Sequence, residues 1–129
     1  MNDKTIEWLL QGEAWVEYRT RVDLLEQAPD DPQVIAARKA MLTDPKIKAL
    51  LAELTDWPGT VLNSHKSSSQ SFHKLEFIAE LGLNVNDTPV KKIAEKVMKH
   101  QSEQGPFQIR ANVPVHFGGS GKDTWAWAL

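Results

Sequence analysis

The stretch "LGLNVNDTPVKKIAEKVMKHQSEQGPF", residues 81–107, has the most regular pattern of the chain and decides its fold class. Apolar residues recur three or four positions apart, as on one face of an α-helix: Val90, Ile93 and Val97. Asp87 or Thr88 is a typical helix cap, and Pro89 fits the first helical position because no N–H is needed there. The pattern predicts an amphipathic helix that ends before Gly105.

Four earlier segments show the same helical spacing. They are "AWVEYRTRVDLLE" (14–26), "DDPQVIAARKAML" (30–42), "TDPKIKALLAELTDW" (43–57) and "SFHKLEFIAELG" (71–82). Asp31 and Asp44 each precede a proline and are predicted N-caps. Gly82 is predicted to end the fourth helix in a left-handed conformation, which glycine adopts without strain. The chain is therefore predicted to be mainly α.

The pattern changes after Gly105. "FQIRANVPV" (107–115) alternates loosely and contains Pro114, which favours an edge strand or an extended arm. The glycine-rich loop 118–121 lacks the Ser or Thr of a phosphate-binding loop, because Asp123 follows Lys122, so we expect a mobile connection. "TWAWAL" (124–129) suits either the first turn of a helix or a strand. The expected fold is a set of helical hairpins with an extended, glycine-rich C-terminal arm.

Composition restricts the function classes. The chain has 129 residues, 41% hydrophobic and 25% charged, which predicts a single folded domain over 1–129. It contains no cysteine, so disulfides and thiolate metal sites are excluded. No apolar run approaches the roughly 18 residues of a membrane span, and the N-terminus does not resemble a signal peptide, so we expect a cytoplasmic location.

Candidate ligand-binding residues lie in the second half. They are His65, His73, His116, Asp123 and Trp125; tertiary folding could gather the three histidines with Asp123, or the histidines could be separate surface or capping residues. The histidines lack the spacing of three or four that helical metal sites use, so neither a metal nor a cofactor is predicted. Nucleophile elbows, His-Glu-x-x-His motifs and paired catalytic carboxylates are absent from the sequence. Catalytic residues therefore remain unassigned, and enzymatic activity stays open.

A lysine row, formed by Lys91, Lys92, Lys96 and Lys99, suggests an alternative. Two helices separated by a short turn and followed by an arm are typical of a winged-helix DNA-binding module. A net charge of −2 and Glu95 within the row argue against phosphate binding, so specific binding of nucleic acid is not expected. A DNA-binding protein should collect these lysines and Arg110 on one basic surface.

The order Gln101, Gly105 and Phe107 resembles a motif of the α/α-toroid proteins, the group of squalene cyclases and prenyltransferase β-subunits. In that group a glutamine, a glycine and a tryptophan so spaced tie successive helical repeats together. Residues 81–107 resemble one such repeat, and "HFGGSGKDTWAW" (116–127) is similar to the start of the next inner helix in squalene-cyclase-like bacterial proteins of unassigned activity. Phe107 replaces the tryptophan, and the prenyltransferase zinc set requires a cysteine that this chain lacks.

The resemblance implies a squalene-cyclase/prenyltransferase-like helical module that contributes to a cavity for an apolar small molecule. It also implies that the chain is the N-terminal part of a longer protein, because a toroid needs more helical hairpins than this one supplies. "TWAWAL" places Trp125, Trp127 and Leu129 together without a polar closing turn. Exposed, they would form an apolar patch of the kind that marks an interface, so we expect self-association through these residues.

Overall fold

The structure, a computed structural model, describes residues 3–59, 61–64 and 70–127, with only the backbone of Trp127. Within these residues it contains six α-helices and a two-stranded sheet, with 56% helix, which confirms the mainly α prediction. The chain forms two compact units, Met1–Ala49 and Leu50–Leu129. Each is described by itself below, and the expectation of one domain over 1–129 stays a prediction.

The N-terminal unit consists of short helices. They are α1 (Asp3–Leu10), α2 (Ala14–Arg19), α3 (Pro32–Thr43) and the start of α4 (Pro45–Thr55). A π-helical turn, Thr20–Leu24, continues α2 directly. Thr20 is buried, and its hydroxyl donates to the Val16 carbonyl at 2.7 Å. The segment 14–26, expected as one regular α-helix, therefore changes from α-helical to π-helical at Thr20.

Aspartate–proline pairs begin α3 and α4, as predicted. The Asp31 carboxylate accepts a hydrogen bond from the Gln33 amide at 2.8 Å, and the Asp44 carboxylate accepts one from the Lys46 amide at 2.8 Å. Each bond satisfies an amide that has no partner within the first helical turn. The two N-cap predictions are confirmed.

The C-terminal unit contains the end of α4, then α5 (Ser71–Glu80) and α6 (Thr88–Met98). Gly82 follows α5 with φ of +98°. The Gly82 amide donates to the Ala79 carbonyl at 3.0 Å, and the Leu83 amide donates to the Ile78 carbonyl at 3.2 Å. These two bonds form a Schellman motif, the helix end that glycine at this position predicts.

Helix α6 is amphipathic as its sequence pattern indicates. Val90, Ile93 and Val97 are buried, and Ile93 has no exposed surface. The buried apolar residues of α5 and the following turn, Ile78, Leu81 and Leu83, belong to the same unit. The spacing of three and four residues therefore identifies the core side of α6 correctly.

The C-terminal arm is a β-hairpin rather than an extended segment. Strand β1 (Gln108–Ala111) pairs antiparallel with β2 (Thr124–Trp127), with Ile109 opposite Ala126 and Arg110 opposite Trp125. Leu62 lies along the other side of β1 in a parallel bridge to Ala111. Residues 124–127 therefore adopt the strand alternative of the sequence analysis. Pairing on both sides of β1 satisfies main-chain groups that a free arm would leave to water.

Candidate functional site

The loop that follows α6 brings together the three residues of the glutamine–glycine–aromatic motif. The Gln101 side-chain amide donates to the Gly105 carbonyl at 2.8 Å, and Gln101 and Phe107 form an antiparallel bridge. The Ser102 amide donates to the Pro106 carbonyl at 2.8 Å. Gly105 has φ of +108°, a conformation that strains other residues. We call residues 100–107 the fastening loop.

The fastening loop closes on itself. Gln101 is exposed and Phe107 is half-buried. The side-chain bond of Gln101 spans only four residues, so it ties the end of α6 to its own loop and not to a second helical repeat. This differs from the α/α-toroid motif, in which the glutamine helps to tie successive helical repeats together.

An aromatic stack joins the fastening loop to the hairpin. The rings of His100 and Trp125 lie 4.0 Å apart between centroids, at an interplanar angle of 15°. The main chain of His100 also holds the hairpin, because the Gln108 amide donates to its carbonyl at 2.8 Å. Trp125 remains 40% exposed, so part of its ring is open to solvent. Sequence reasoning named Trp125 but missed His100, because the two residues are far apart in the chain and no motif connects them.

The turn between β1 and β2 uses its own glycine amides. Those of Gly118, Gly119 and Gly121 donate to the carbonyls of Val115, Pro114 and Val113 at 2.9, 3.1 and 3.0 Å. A phosphate would have to compete with these bonds, which disfavours an anion site in the loop. A Cβ on Gly119 would lie 2.1 Å from the Val113 carbonyl oxygen, so only glycine fits there.

The tip of this turn is apolar and exposed. Val115 is 71% exposed and Phe117 is 74% exposed, and the His116 ring lies 4.2 Å from the Phe117 ring. At the base, the Asp123 carboxylate accepts a hydrogen bond from the Asn112 side chain at 3.0 Å and lies 3.5 Å from the Arg110 guanidinium. Asp123 therefore holds the two ends of the turn together and is engaged within the hairpin.

The lysine row does not form one uninterrupted basic surface. Lys96 is half-buried, and its ammonium donates to the Thr55 carbonyl at the end of α4. Arg110 is paired with Asp123. Lys91, Lys92 and Lys99 are exposed, and no described residue forms an ion pair with them. Three of the five cations are thus available to a partner.

The other predicted ligand-binding residues are dispersed among different contacts. His73 is exposed on α5, His116 lies at the tip of the hairpin turn, and His65 lies outside the described residues. Among residues 3–59, 61–64 and 70–127, no three His, Cys, Asp or Glu side chains come together in a group that could hold a metal. Trp125, Asp123 and His116 each have a neighbour outside the predicted set, namely His100, Asn112 and Phe117.

The electrostatics of the N-terminal unit are local. The Lys46 ammonium lies 2.8 Å from the Glu13 carboxylate and 5.7 Å from the centroid of the Trp15 ring. The hydrogen bond with Glu13 raises the pKa of Lys46. Both charged side chains are exposed, so we expect this pair to contribute little to stability.

Comparisons with known proteins identify no relative: no family model, no curated protein and no solved structure matches the chain. None of the helices that the structure describes is long and apolar enough to cross a membrane. From the contacts described above, we define the candidate site as the fastening loop, the His100–Trp125 stack and the exposed lysines of α6.

Proposed function

We propose that the chain is a squalene-cyclase/prenyltransferase-like helical module that contributes to the wall of an apolar ligand cavity. The observation that carries this proposal is the convergence of Gln101, Gly105 and Phe107 at the end of α6. The resemblance to α/α-toroid proteins requires these residues to act together at a helix end. In an unrelated sequence, the same spacing would not have to bring Gln101 into a hydrogen bond with Gly105 and into a bridge with Phe107.

The arrangement also suits the packing of a following repeat. Main-chain hydrogen bonds from Ser102 to Pro106, from Gly105 to Ser102 and from Gln108 to His100 close the loop, so an apolar neighbour that covered it would leave these groups bonded. Phe107 supplies an aromatic face beside the exposed Gln101. By this proposal, the exposure of Gln101 marks the surface on which the next helical repeat of a toroid packs.

Trp125 is the residue we propose for contact with an apolar ligand. Trp125 is 40% exposed, and its ring stacks on that of His100, which favours one orientation. A large aromatic surface held in one orientation binds apolar molecules at a low entropic cost. We assign no catalytic residue.

A fluorescence titration with farnesol tests ligand binding. Farnesol is the probe because isoprenoid chains are the apolar substrates that the resemblance implies. We expect a saturable change in tryptophan emission that Trp125→Ala removes. Trp8→Phe is the matched control, since Trp8 is 71% exposed and belongs to the N-terminal unit. A titration without saturation, or an equal response in Trp125→Ala, would contradict the proposal.

A winged-helix DNA-binding module is the second candidate function. The order α5, turn, α6, β1 and β2 favours it, with Leu62 in a single bridge beside β1. Lys91, Lys92 and Lys99 are exposed on α6, the helix that would enter the major groove. The engagement of Lys96 and Arg110 within the protein, and the exposed Glu95 between the lysines, weaken phosphate attraction.

Fluorescence anisotropy with a random-sequence DNA duplex at low salt separates the two candidates. The cavity-wall proposal predicts no micromolar binding. Micromolar binding with a steep salt dependence, lost in the double variant Lys91→Glu/Lys92→Glu, would favour the winged-helix function. Lys48→Glu is the charge control, because Lys48 is exposed and lies in the N-terminal unit.

A further inference from the structure

The hydrogen bonds of β1 determine which main-chain groups of β2 face outwards. The Leu62 amide donates to the Arg110 carbonyl at 3.0 Å, and the Asn112 amide donates to the Leu62 carbonyl at 2.6 Å. In a strand, the N–H and C=O of one residue point to the same side, and neighbouring residues point to opposite sides. Arg110 therefore faces Leu62, whereas Ile109 and Ala111 face β2.

The register then identifies the open edge of the sheet. Ile109 lies opposite Ala126 and Ala111 lies opposite Thr124, so these two residues of β2 bond to β1. The main-chain groups of Trp125 and Trp127 consequently point away from β1. Among the described residues, no strand or bridge covers that side of β2. The edge thus presents two N–H donors and two C=O acceptors.

Strand β2 lacks the features that usually prevent edge pairing. Edge strands in stable monomers commonly carry a charged residue, a proline or a bulge. The strand contains no charged residue and no proline, and its pairing with β1 has no bulge. In contrast, the opposite edge of β1 is already covered by Leu62.

The charge of the C-terminal unit is compatible with a second copy of the chain as the partner. Residues 50–129 carry eight Lys or Arg and eight Asp or Glu, which gives a formal net charge of zero. Two identical units therefore meet without net repulsion, a condition that promotes association. An antiparallel pair of identical strands is also self-complementary about a two-fold axis, so each donor finds an equivalent acceptor.

We propose that two copies of the chain associate through β2, and that their hairpins join into one continuous antiparallel sheet. A two-fold axis beside Ala126 places the outward groups of Trp125 opposite those of Trp127 in the second copy, so that all four outward residues are paired. This inference gives the expected self-association a main-chain mechanism. It is independent of ligand binding, since the open edge is defined by the hydrogen bonds of β1 and not by the exposed ring of Trp125.

Light scattering coupled to size exclusion tests the proposal with the full chain in the absence of ligand. We expect a dimer whose dissociation constant rises about tenfold or more in Trp127→Pro, because the two-fold axis removes two hydrogen bonds at once. The Trp127 amide faces away from β1, so this proline leaves the internal ladder intact. Trp127→Ala is the matched control: it loses the same side chain but keeps the N–H, and it should remain a dimer.

Hydrogen exchange at two protein concentrations provides a second measurement that does not depend on a variant. The Trp125 and Trp127 amides should be protected only at the higher concentration, whereas the Ile109 and Ala111 amides should be protected equally at both. A wild-type chain that stays monomeric would overturn the proposal. It would also be overturned by equal dissociation in Trp127→Ala and Trp127→Pro, which would indicate side-chain association.

Discussion

The hydrogen bond from Gln101 to Gly105 allows a quantitative test of the fastening loop. Gln101→Ala removes a neutral bond of 2.8 Å whose donor side chain is exposed. A typical intramolecular hydrogen bond contributes about 0.5–1.5 kcal/mol, and exposure places this one in the lower half, at about 0.5–1 kcal/mol. The cost of roughly 1–3 kcal/mol that a buried Gln101 would imply is not expected, because water can solvate the Gly105 carbonyl once the side chain is gone.

Thermal unfolding followed by circular dichroism measures this effect. For a chain of this size, the loss corresponds to a melting temperature lower by about 2–5 °C. Gln104→Ala is the matched control, since Gln104 is exposed on the same loop and forms no hydrogen bond with the described residues. Phe107→Ala should cost more, roughly 2 kcal/mol, because its ring is half-buried. Equal melting temperatures for the Gln101 and Gln104 variants would refute the fastening role.

Two further substitutions test the hairpin turn and the core. Gly119→Ala should destabilise the hairpin by about 1–3 kcal/mol, because the new Cβ would lie 2.1 Å from the Val113 carbonyl oxygen. Urea denaturation measures the loss. An unchanged urea midpoint would mean that Val113 does not approach residue 119 so closely. Ile93→Ala should cost about 2–5 kcal/mol, since Ile93 is fully buried, while Met98→Ala on the exposed side of α6 should change stability by less than about 0.5 kcal/mol.

Local signals predicted the helices well because they act within a few residues. The caps at Asp31 and Asp44 and the turn at Gly82 depend only on neighbouring main-chain groups, and the structure contains each of them. Helix α1 was missed because it buries no described residue and so depends little on an apolar face. The π-helical turn at Thr20 was missed because a threonine hydroxyl bonded to the preceding turn leaves no pattern in the sequence.

The candidate site was harder to predict because its contacts are not local. Gln101, Gly105 and Phe107 are close in sequence, and their convergence could be expected. The His100–Trp125 stack depends on the register of the hairpin, which no single-sequence pattern specifies. The apparent lysine row was misleading for the same reason, since the Thr55 carbonyl that binds Lys96 belongs to a distant helix.

The most direct test of the central claim is a ¹H–¹⁵N NMR titration of the labelled chain, first with farnesol and then with a DNA duplex. A module that lines an apolar cavity should show saturable shifts with farnesol at the amides of His100, Phe107 and Trp125, and no saturable shifts with DNA. The account would be contradicted if farnesol left these amides unchanged while DNA shifted those of Lys91, Lys92 and Lys99.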